Sequence, residues 1–367
     1  MKISSEREKF SQAFQLAASV AAAKDVKPVL QNVKASVTKK SVLLQATDTE
    51  IGIRLHLDGC EALEKGDAVL PTKMFKKMLQ ESNEAKLHIE SEQEKILVSG
   101  AKGRLYSFPT QSANEFPDVE EFNETSYHEV SVKVLREIIR RTIFAIDTEN
   151  HRYNLDGVLL EFIEDKVLGV ATDGKRLAFQ EGVAQCVGDH KAENTIFPAK
   201  ALQLLERSLG GDDEVVQVSV SSHRALFRSG NVVFFTRLVE GRFPRWRSII
   251  PETEDKTQVD ILVGALNTAV RQAAIVTSDK EPGVIFSFSP GKLVLHAHGA
   301  ELGDSNIEVP LAYSGDAKEV KMDPKFFMDY LRALESEKNL SVFISDDDSP
   351  VHVRTDDAYI YVVMPMS

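Results

Sequence analysis

The chain has 367 residues, 43% of them hydrophobic and 27% charged, which places it among ordinary globular proteins and excludes disordered, fibrous and membrane-spanning classes. Forty-four Lys and Arg against 56 Asp and Glu leave a formal net charge of -12, which argues against a surface uniformly coated in positive charge. Cys60 and Cys186 are too few for a disulfide framework or a CxxC site, and the N-terminus mixes charges where a signal peptide needs an apolar run; a cytoplasmic protein is expected.

In chain order the elements repeat. An amphipathic helix is predicted over Arg7 to Ala22, followed by the strand Val42-Leu-Leu-Gln-Ala-Thr-Asp48. Leu70-Pro-Thr-Lys73 then opens a second helix, Leu87 to Phe108 reads as further strands, and Glu115 to Glu124 reads as an acidic linker. The second copy has a helix over Val132 to Ile146, with Leu135, Ile138, Ile139 and Ile143 on one face. A hairpin follows, from Leu155 to Phe162 and Val167 to Gln180, turning at Glu164-Asp165. Phe197-Pro-Ala-Lys200 opens its second helix, and strands cover Val215 to Val239. After a polar linker at Pro251 to Lys256, the third copy shows a helix over Ile261 to Val276, a strand at Lys292 to His298, the opening Met322-Asp-Pro-Lys325, and strands from Leu340 to Val363.

The periods agree with one another. Asp48 and Asp173 are 125 apart, Lys73 and Lys200 are 127 apart, and Lys200 and Lys325 are 125 apart. The expected fold is α+β, with three repeated domains at 1–127, 128–253 and 254–367, each an antiparallel sheet covered on one face by two helices. The prolines of the second helices are expected in the first turn, where a missing N–H is harmless.

Charge divides unevenly over this repeat. Lys133, Arg136 and Arg140 form one helical stripe; Lys73 with Lys76 and Lys77, Lys200 with Arg207, and Lys325 with Arg332 occupy one register on the second helices. Acids gather in linkers and turns such as Asp212-Asp-Glu214 and Asp346-Asp-Asp348. A basic helical face shared by three copies suits phosphate contacts that read no bases.

Catalytic patterns fail on inspection. Gly169 to Lys175 matches a phosphate-cradling loop until Arg176 stands where Ser or Thr is needed, and strand rather than helix follows. His296 and His298 share one side of a strand, but two further zinc ligands are missing nearby; Asp48 and Asp173 are repeat equivalents and are read as turn residues. No metal, no cofactor and no enzyme activity are expected.

Four stretches carry a resemblance: His151-Arg-Tyr-Asn-Leu-Asp-Gly157, Ala171-Thr-Asp-Gly-Lys-Arg-Leu-Ala178, Leu238-Val-Glu-Gly-Arg-Phe-Pro244 and Tyr361-Val-Val-Met-Pro-Met366. In this order and spacing, over the whole chain, they resemble the signatures of the bacterial sliding clamp family, the beta subunits of DNA polymerase III. The resemblance implies a closed head-to-tail homodimeric ring, with helices lining a hole that duplex DNA threads. It also implies an ATP-driven clamp loader, tethering of the DNA polymerase III catalytic subunit, and short apolar motifs of polymerases, loader and repair proteins as ligands. Two other readings stay open at this level: a repeat-built peptide-binding scaffold that never touches DNA, and an enzyme resting on the Gly169 to Lys175 loop.

Carried over residue by residue, the resemblance implies a partner-peptide pocket of Leu155, Thr172, Gly174, Lys175, Arg176, Leu177, Pro244, Ile249, Val362, Val363, Met364, Pro365 and Met366. It implies DNA contacts at Lys24, Lys73, Arg152, Tyr153, Lys200 and Arg207, and a dimer interface in which Ile275 and Val276 meet Leu105 or Tyr106 of another copy. Asn154, Lys175 and Ser248 depart from the family pattern, which bears on partner preference.

Overall fold

In the computed structural model the chain is described over residues 1–24, 27–101, 103, 105–148, 155–190, 192–254, 256–278 and 280–366, with the side chains of residues 105 and 192–194 outside that description. It forms two bodies, Met1–Lys133 with Ala184–Ala192 and Lys200–Leu238, and Val134–Val183 with Glu193–Ala199 and Val239–Ser367.

The first repeat runs β1 (Lys2–Glu6), α1 (Arg7–Val20), β2 (Val33–Val37), β3 (Val42–Thr47), β4 (Ile51–His56), β5 (Glu61–Glu64), β6 (Gly66–Leu70), α2 (Thr72–Glu81), β7 (Lys86–Glu92), β8 (Lys95–Gly100) and β9 (Leu105–Pro109). The second runs β10 (Tyr127–Ser131), α3 (Val132–Thr142), β11 (Gly157–Ile163), β12 (Lys166–Thr172), β13 (Arg176–Val187), β14 (Ala192–Pro198), α4 (Ala199–Ser208), β15 (Val215–Val220), β16 (Arg224–Ser229) and β17 (Val232–Arg237). The third runs β18 (Thr257–Leu262), α5 (Val263–Ala273), β19 (Val284–Ser289), β20 (Lys292–Gly299), β21 (Gly303–Pro310), β22 (Lys318–Met322), α6 (Pro324–Arg332), β23 (Asn339–Ile344), β24 (Val351–Arg354) and β25 (Tyr359–Val363).

The strands of each repeat divide into two antiparallel groups rather than forming the single sheet expected. In the first repeat β1, β7, β8 and β9 pair together, with β5 on the β1 edge, while β2, β3, β4 and β6 form the other group. The third repeat divides likewise into β18 with β23 to β25 and β19 to β22, whereas in the second the groups β10 with β15 to β17 and β11 to β14 are joined, because the end of β13 pairs with β10. The α, β, α, β order is therefore one helix and four strands, used twice per repeat.

Helices bury one face against these sheets. In the first body Phe10 and Phe14 of α1, one turn apart, meet Phe75 of α2, with Phe14 and Phe75 centroids 5.3 Å apart. In the second body α3 buries Leu135, Ile138 and Ile139. It lies so close to the sheet that a Cβ on Gly169 of β12 would stand 2.2 Å from Ile138 Cγ2; only glycine permits that approach. Phe286 of β19 meets Phe327 of α6 at 5.3 Å, and Tyr330 stacks on Tyr359 and Tyr361 at 4.9 and 4.7 Å.

Two local expectations need correction. Helix α5 starts at Val263, not Ile261, because Ile261 pairs with Leu340 and prolongs β18. Pro71 and Pro198 sit immediately before α2 and α4, and of the three prolines Pro324 alone occupies a first helical position. The third copy has Asp323 ahead of its proline, and that side chain accepts the Lys325 N–H at 2.9 Å as a helix cap.

Within each body the last strand of one repeat joins the third strand of the middle group of the repeat before it. Strand β17 pairs with β4 in the first body, and β25 pairs with β13 in the second. The third members of these two sets, β9 and β21, are each at a sheet edge.

Candidate nucleic-acid interface and partner-docking site

Lys73, Lys200 and Lys325 each take the second position of their helix, and each is exposed. A helix N-terminus carries partial positive charge, so a lysine there is unfavourable for the helix, by about 0.3–1 kcal/mol. The same positive end reinforced by a lysine is favourable for an anion such as phosphate. Lys24 and Arg207 are also exposed, Arg207 in the last turn of α4. Lys76 reaches the Ala18 carbonyl at 3.5 Å, tying α2 to the end of α1. Arg152 and Tyr153 lie outside the described residues, as does Asn154.

Two of the repeats share a turn built from Thr and Asp. Thr47 Oγ1 donates to the Ile51 carbonyl and accepts the Thr49 N–H, while Asp48 Oδ1 accepts the N–H groups of Glu50 and Ile51 at 3.1 and 2.8 Å. Thr172 and Asp173 repeat every one of these contacts with Arg176, Gly174 and Lys175. Position three of the turn has φ of 76° at Thr49 and 86° at Gly174, a left-handed conformation that glycine adopts without strain. The remaining oxygens differ. Asp48 Oδ2 holds Lys200 Nζ at 2.5 Å, whereas Asp173 Oδ2 holds Arg176 Nε at 2.9 Å.

Arg176 is buried, and each guanidinium nitrogen is engaged: Nε with Asp173, Nη1 with Asp329 of α6 at 2.8 Å, and Nη2 with the Phe144 carbonyl at 2.7 Å. It supports the turn from beneath. Leu177 and Val362 are cross-strand neighbours on β13 and β25, and both belong to one apolar cluster with Leu159, Leu168, Val170, Phe179, Ile196 and Trp246. Trp246 stacks on Phe179 at 5.0 Å. Leu155, Thr172 and Val363 are buried, and Val363, next to Val362 on its strand, points to the opposite face.

Gly174, Lys175, Ile249 and Met364 are exposed, while Pro244, Pro365 and Met366 are half-buried. The tail is anchored by its backbone: Met364 N–H donates to the Lys175 carbonyl and Met366 N–H to the Lys321 carbonyl, each at 2.8 Å. Exposed apolar and methionine side chains thus stand beside a buried apolar floor, an arrangement suited to a short hydrophobic peptide.

The repeat provides an internal comparison. Across the second body runs the cross-strand row Leu159, Val170, Phe179, Ile360. In the first body the equivalent row is Lys34, Gln45, Arg54, Val233. There the linker lies down as well: Arg54 donates to the Val119 carbonyl at 2.9 Å, and a Cβ on Gly52, the counterpart of Leu177, would stand 2.8 Å from Val119 Cγ1. The apolar floor belongs to the second repeat alone among these two.

Family models for the N-terminal, central and C-terminal domains of the DNA polymerase III beta subunit match residues 1–120, 129–245 and 247–367. The chain belongs to the bacterial sliding clamp family. Its function is that of a DNA sliding clamp, and the family is one of processivity factors. The beta sliding clamp of Pseudomonas aeruginosa is 30% identical over 374 residues, covering 100% of both chains. A crystal structure of the Pseudomonas aeruginosa sliding clamp bound to griselimycin superposes with a TM-score of 0.92 at 29% identity, covering 100% of this chain and 99% of that one. The Bacillus subtilis clamp, at 22% identity, TM-score 0.93 and coverage of 100% and 99%, shares the fold.

Of the clamp residues named for subunit contact, Tyr106 is half-buried on edge strand β9 and stacks on Phe108, while the Leu105 side chain lies outside the described residues. Ile275 is 74% exposed, and the neighbouring Val276 carbonyl sits against Gly299 beside edge strand β21. Reading the clamp motifs alone misses Phe179, Trp246 and the rest of the apolar row. The signal was present: Trp246 is the chain's one tryptophan and sits beside Phe243-Pro244, ahead of the linker at Pro251 to Lys256. His298 Nδ1 lies 2.7 Å from Asp304 Oδ1, and among the described residues no group of three or more His, Cys, Asp or Glu could hold a metal. No helix among them is long and apolar enough to cross a membrane.

Proposed function

We propose that two copies of this chain close head to tail into a ring around duplex DNA. The observation that carries this reading is the pairing rule of the strands. The β4–β17 and β13–β25 pairs leave β21 as the one strand of its class without a neighbour on that side, and β9 as the one last strand without its partner. Joining β21 of one protomer to β9 of its partner satisfies both edges, and repeating the join closes a dimer of six domains. Ile275, Val276, Leu105 and Tyr106 fall at this join.

Exposed Lys24, Lys73, Lys200 and Arg207, with Arg152 and Tyr153, contact the phosphates without reading sequence. The domains follow the repeat at 1–127, 128–253 and 254–367. The apolar floor with Met364 to Met366, Gly174, Lys175, Pro244 and Ile249 receives hydrophobic motifs of the DNA polymerase III catalytic subunit, the clamp loader and repair proteins. Arg176 positions the turn through Asp173. The chain acts in the cytoplasm as a processivity subunit with no catalytic site and no cofactor of its own.

Loading onto nicked circular DNA followed by linearisation tests the ring. Retention on the circle and loss from the linear form is the expected result. Equal retention on both, or a monomer of 40.8 kDa by mass measurement, removes the ring and returns the scaffold reading.

A further inference from the structure

The contact between Lys200 and Asp48 has no place in a simple DNA-binding face. Lys200 is 64% exposed in its side chain, sits at the positive end of α4, and is a proposed phosphate contact. Yet its ammonium lies 2.5 Å from Asp48 Oδ2, whose side chain is 13% exposed. Asp48 is not a free surface acid that swings in. Its other oxygen is fixed by two backbone N–H groups of the turn, so the carboxylate is held in place whether or not Lys200 is present. Glu50 of the same turn and Arg237 of the facing strand approach each other at 3.8 Å.

The second repeat makes the contrast. There the equivalent carboxylate, Asp173, gives its second oxygen to Arg176. In the first repeat the residue at that place is Ile51, which leaves Asp48 Oδ2 available to a cation from the next repeat.

Resting on the DNA reading above, we propose that Asp48 is a positioning residue that holds Lys200 partly neutralised and so keeps this phosphate contact weak. To engage DNA, Lys200 must leave Asp48 or share itself between carboxylate and phosphate. On leaving, it uncovers a carboxylate that attracts solution cations, and when shared it neutralises the phosphate only in part, so the net ion release per contact falls below the usual value of about 0.9. A topologically linked ring requires mobility along the duplex rather than affinity, and a built-in competitor for the lysine provides it.

The test is the affinity of the full-length protein for a fluorescent duplex as a function of salt, for wild type, Asp48→Asn, Lys200→Ala and the double variant. Asparagine keeps a carbonyl oxygen for the turn, and an unchanged melting temperature verifies that the fold survives. Asp48→Asn is expected to bind about two- to fivefold tighter, the range of a surface ion pair, with a steeper salt slope. The double variant is expected to match Lys200→Ala. The proposal is overturned if Asp48→Asn equals wild type, or if it tightens binding equally without Lys200, which would mark a general charge effect. Should none of the four bind the duplex directly, the proposal is overturned, while the DNA reading stands or falls on retention on nicked circular DNA, so the two failures are distinguishable. If Asp48→Asn does not fold, Lys200→Arg serves instead: a longer cation that can span carboxylate and phosphate should bind tighter, and unchanged binding would overturn the idea.

Discussion

Arg176 Nη1 lies 2.8 Å from Asp329 Oδ2, so one buried cation joins the turn before β13 to helix α6. Arg176→Ala would leave Asp173 and Asp329 without that cation, and removing one partner of a buried pair costs about 3–5 kcal/mol. Chemical denaturation should show a loss in this range. A loss below about 1 kcal/mol, the scale of an exposed pair, would mean that Arg176 is not a strut.

Deleting Met364 to Ser367 should abolish binding of a hydrophobic polymerase peptide and leave the dimer intact. The tail is tied by two backbone hydrogen bonds from Met364 and Met366, and β25 ends before it. Peptide titration by fluorescence anisotropy, paired with a mass measurement, checks both halves. Undiminished peptide binding would place the pocket elsewhere.

Acid should weaken the fold through His128. Its ring is buried with Nδ1 2.8 Å from Nδ1 of His190, and His190 Nε2 accepts the Val220 N–H at 2.9 Å. Only one proton fits between the two Nδ1 atoms, so at least one ring is neutral, and His190 Nε2 also lies 3.2 Å from the Val220 carbonyl. Burial, assisted by His190, pushes the His128 pKa down to about 4; His190 is also lowered by burial, against its bond to the Val220 backbone and the charge of Glu124. An unfolded histidine titrates near 6.5, so between about pH 6.5 and 4 the unfolded chain binds more protons. Stability is full above this window and falls as pH drops through it. Burial holds His352 down to about 4 as well. His128→Asn should thus lose part of the drop in denaturation midpoint between pH 7.5 and 5, while an unaltered drop would assign it wholly to other groups.

Lys73→Glu should reduce retention on nicked circular DNA while changing stability by no more than about 0.5 kcal/mol, as for an exposed site. Lys73 is the cleaner choice over Lys200, whose replacement by Glu would also set a carboxylate against Asp48. Retention equal to wild type would remove Lys73 from the DNA face.

The fold was legible because the period of about 125 residues repeats polar landmarks, Thr-Asp turns and Lys helix starts, whose spacing survives divergence. The division of each repeat into two groups of strands was not legible, since strand alternation in β2 or β23 records one buried face but not which neighbour covers the edge. At the proposed docking site Leu177 and Val362 could be named from motifs. Phe179, Leu159 and Val170 could not, because apolar strand residues look alike until pairing lines them into one row. Lys200 read as a free cation, since its partner Asp48 is 152 residues away in sequence.

The lysines that open α2, α4 and α6 work against their own helices. A heat-tolerance screen that ignores replication should keep replacing Lys73 with an acid, which suits the first turn, and should spare Lys200, where an acid would face Asp48. Those winners would survive the heating block and fail in the cell. At Lys73 the stability of the helix and the proposed phosphate contact therefore pull in opposite directions.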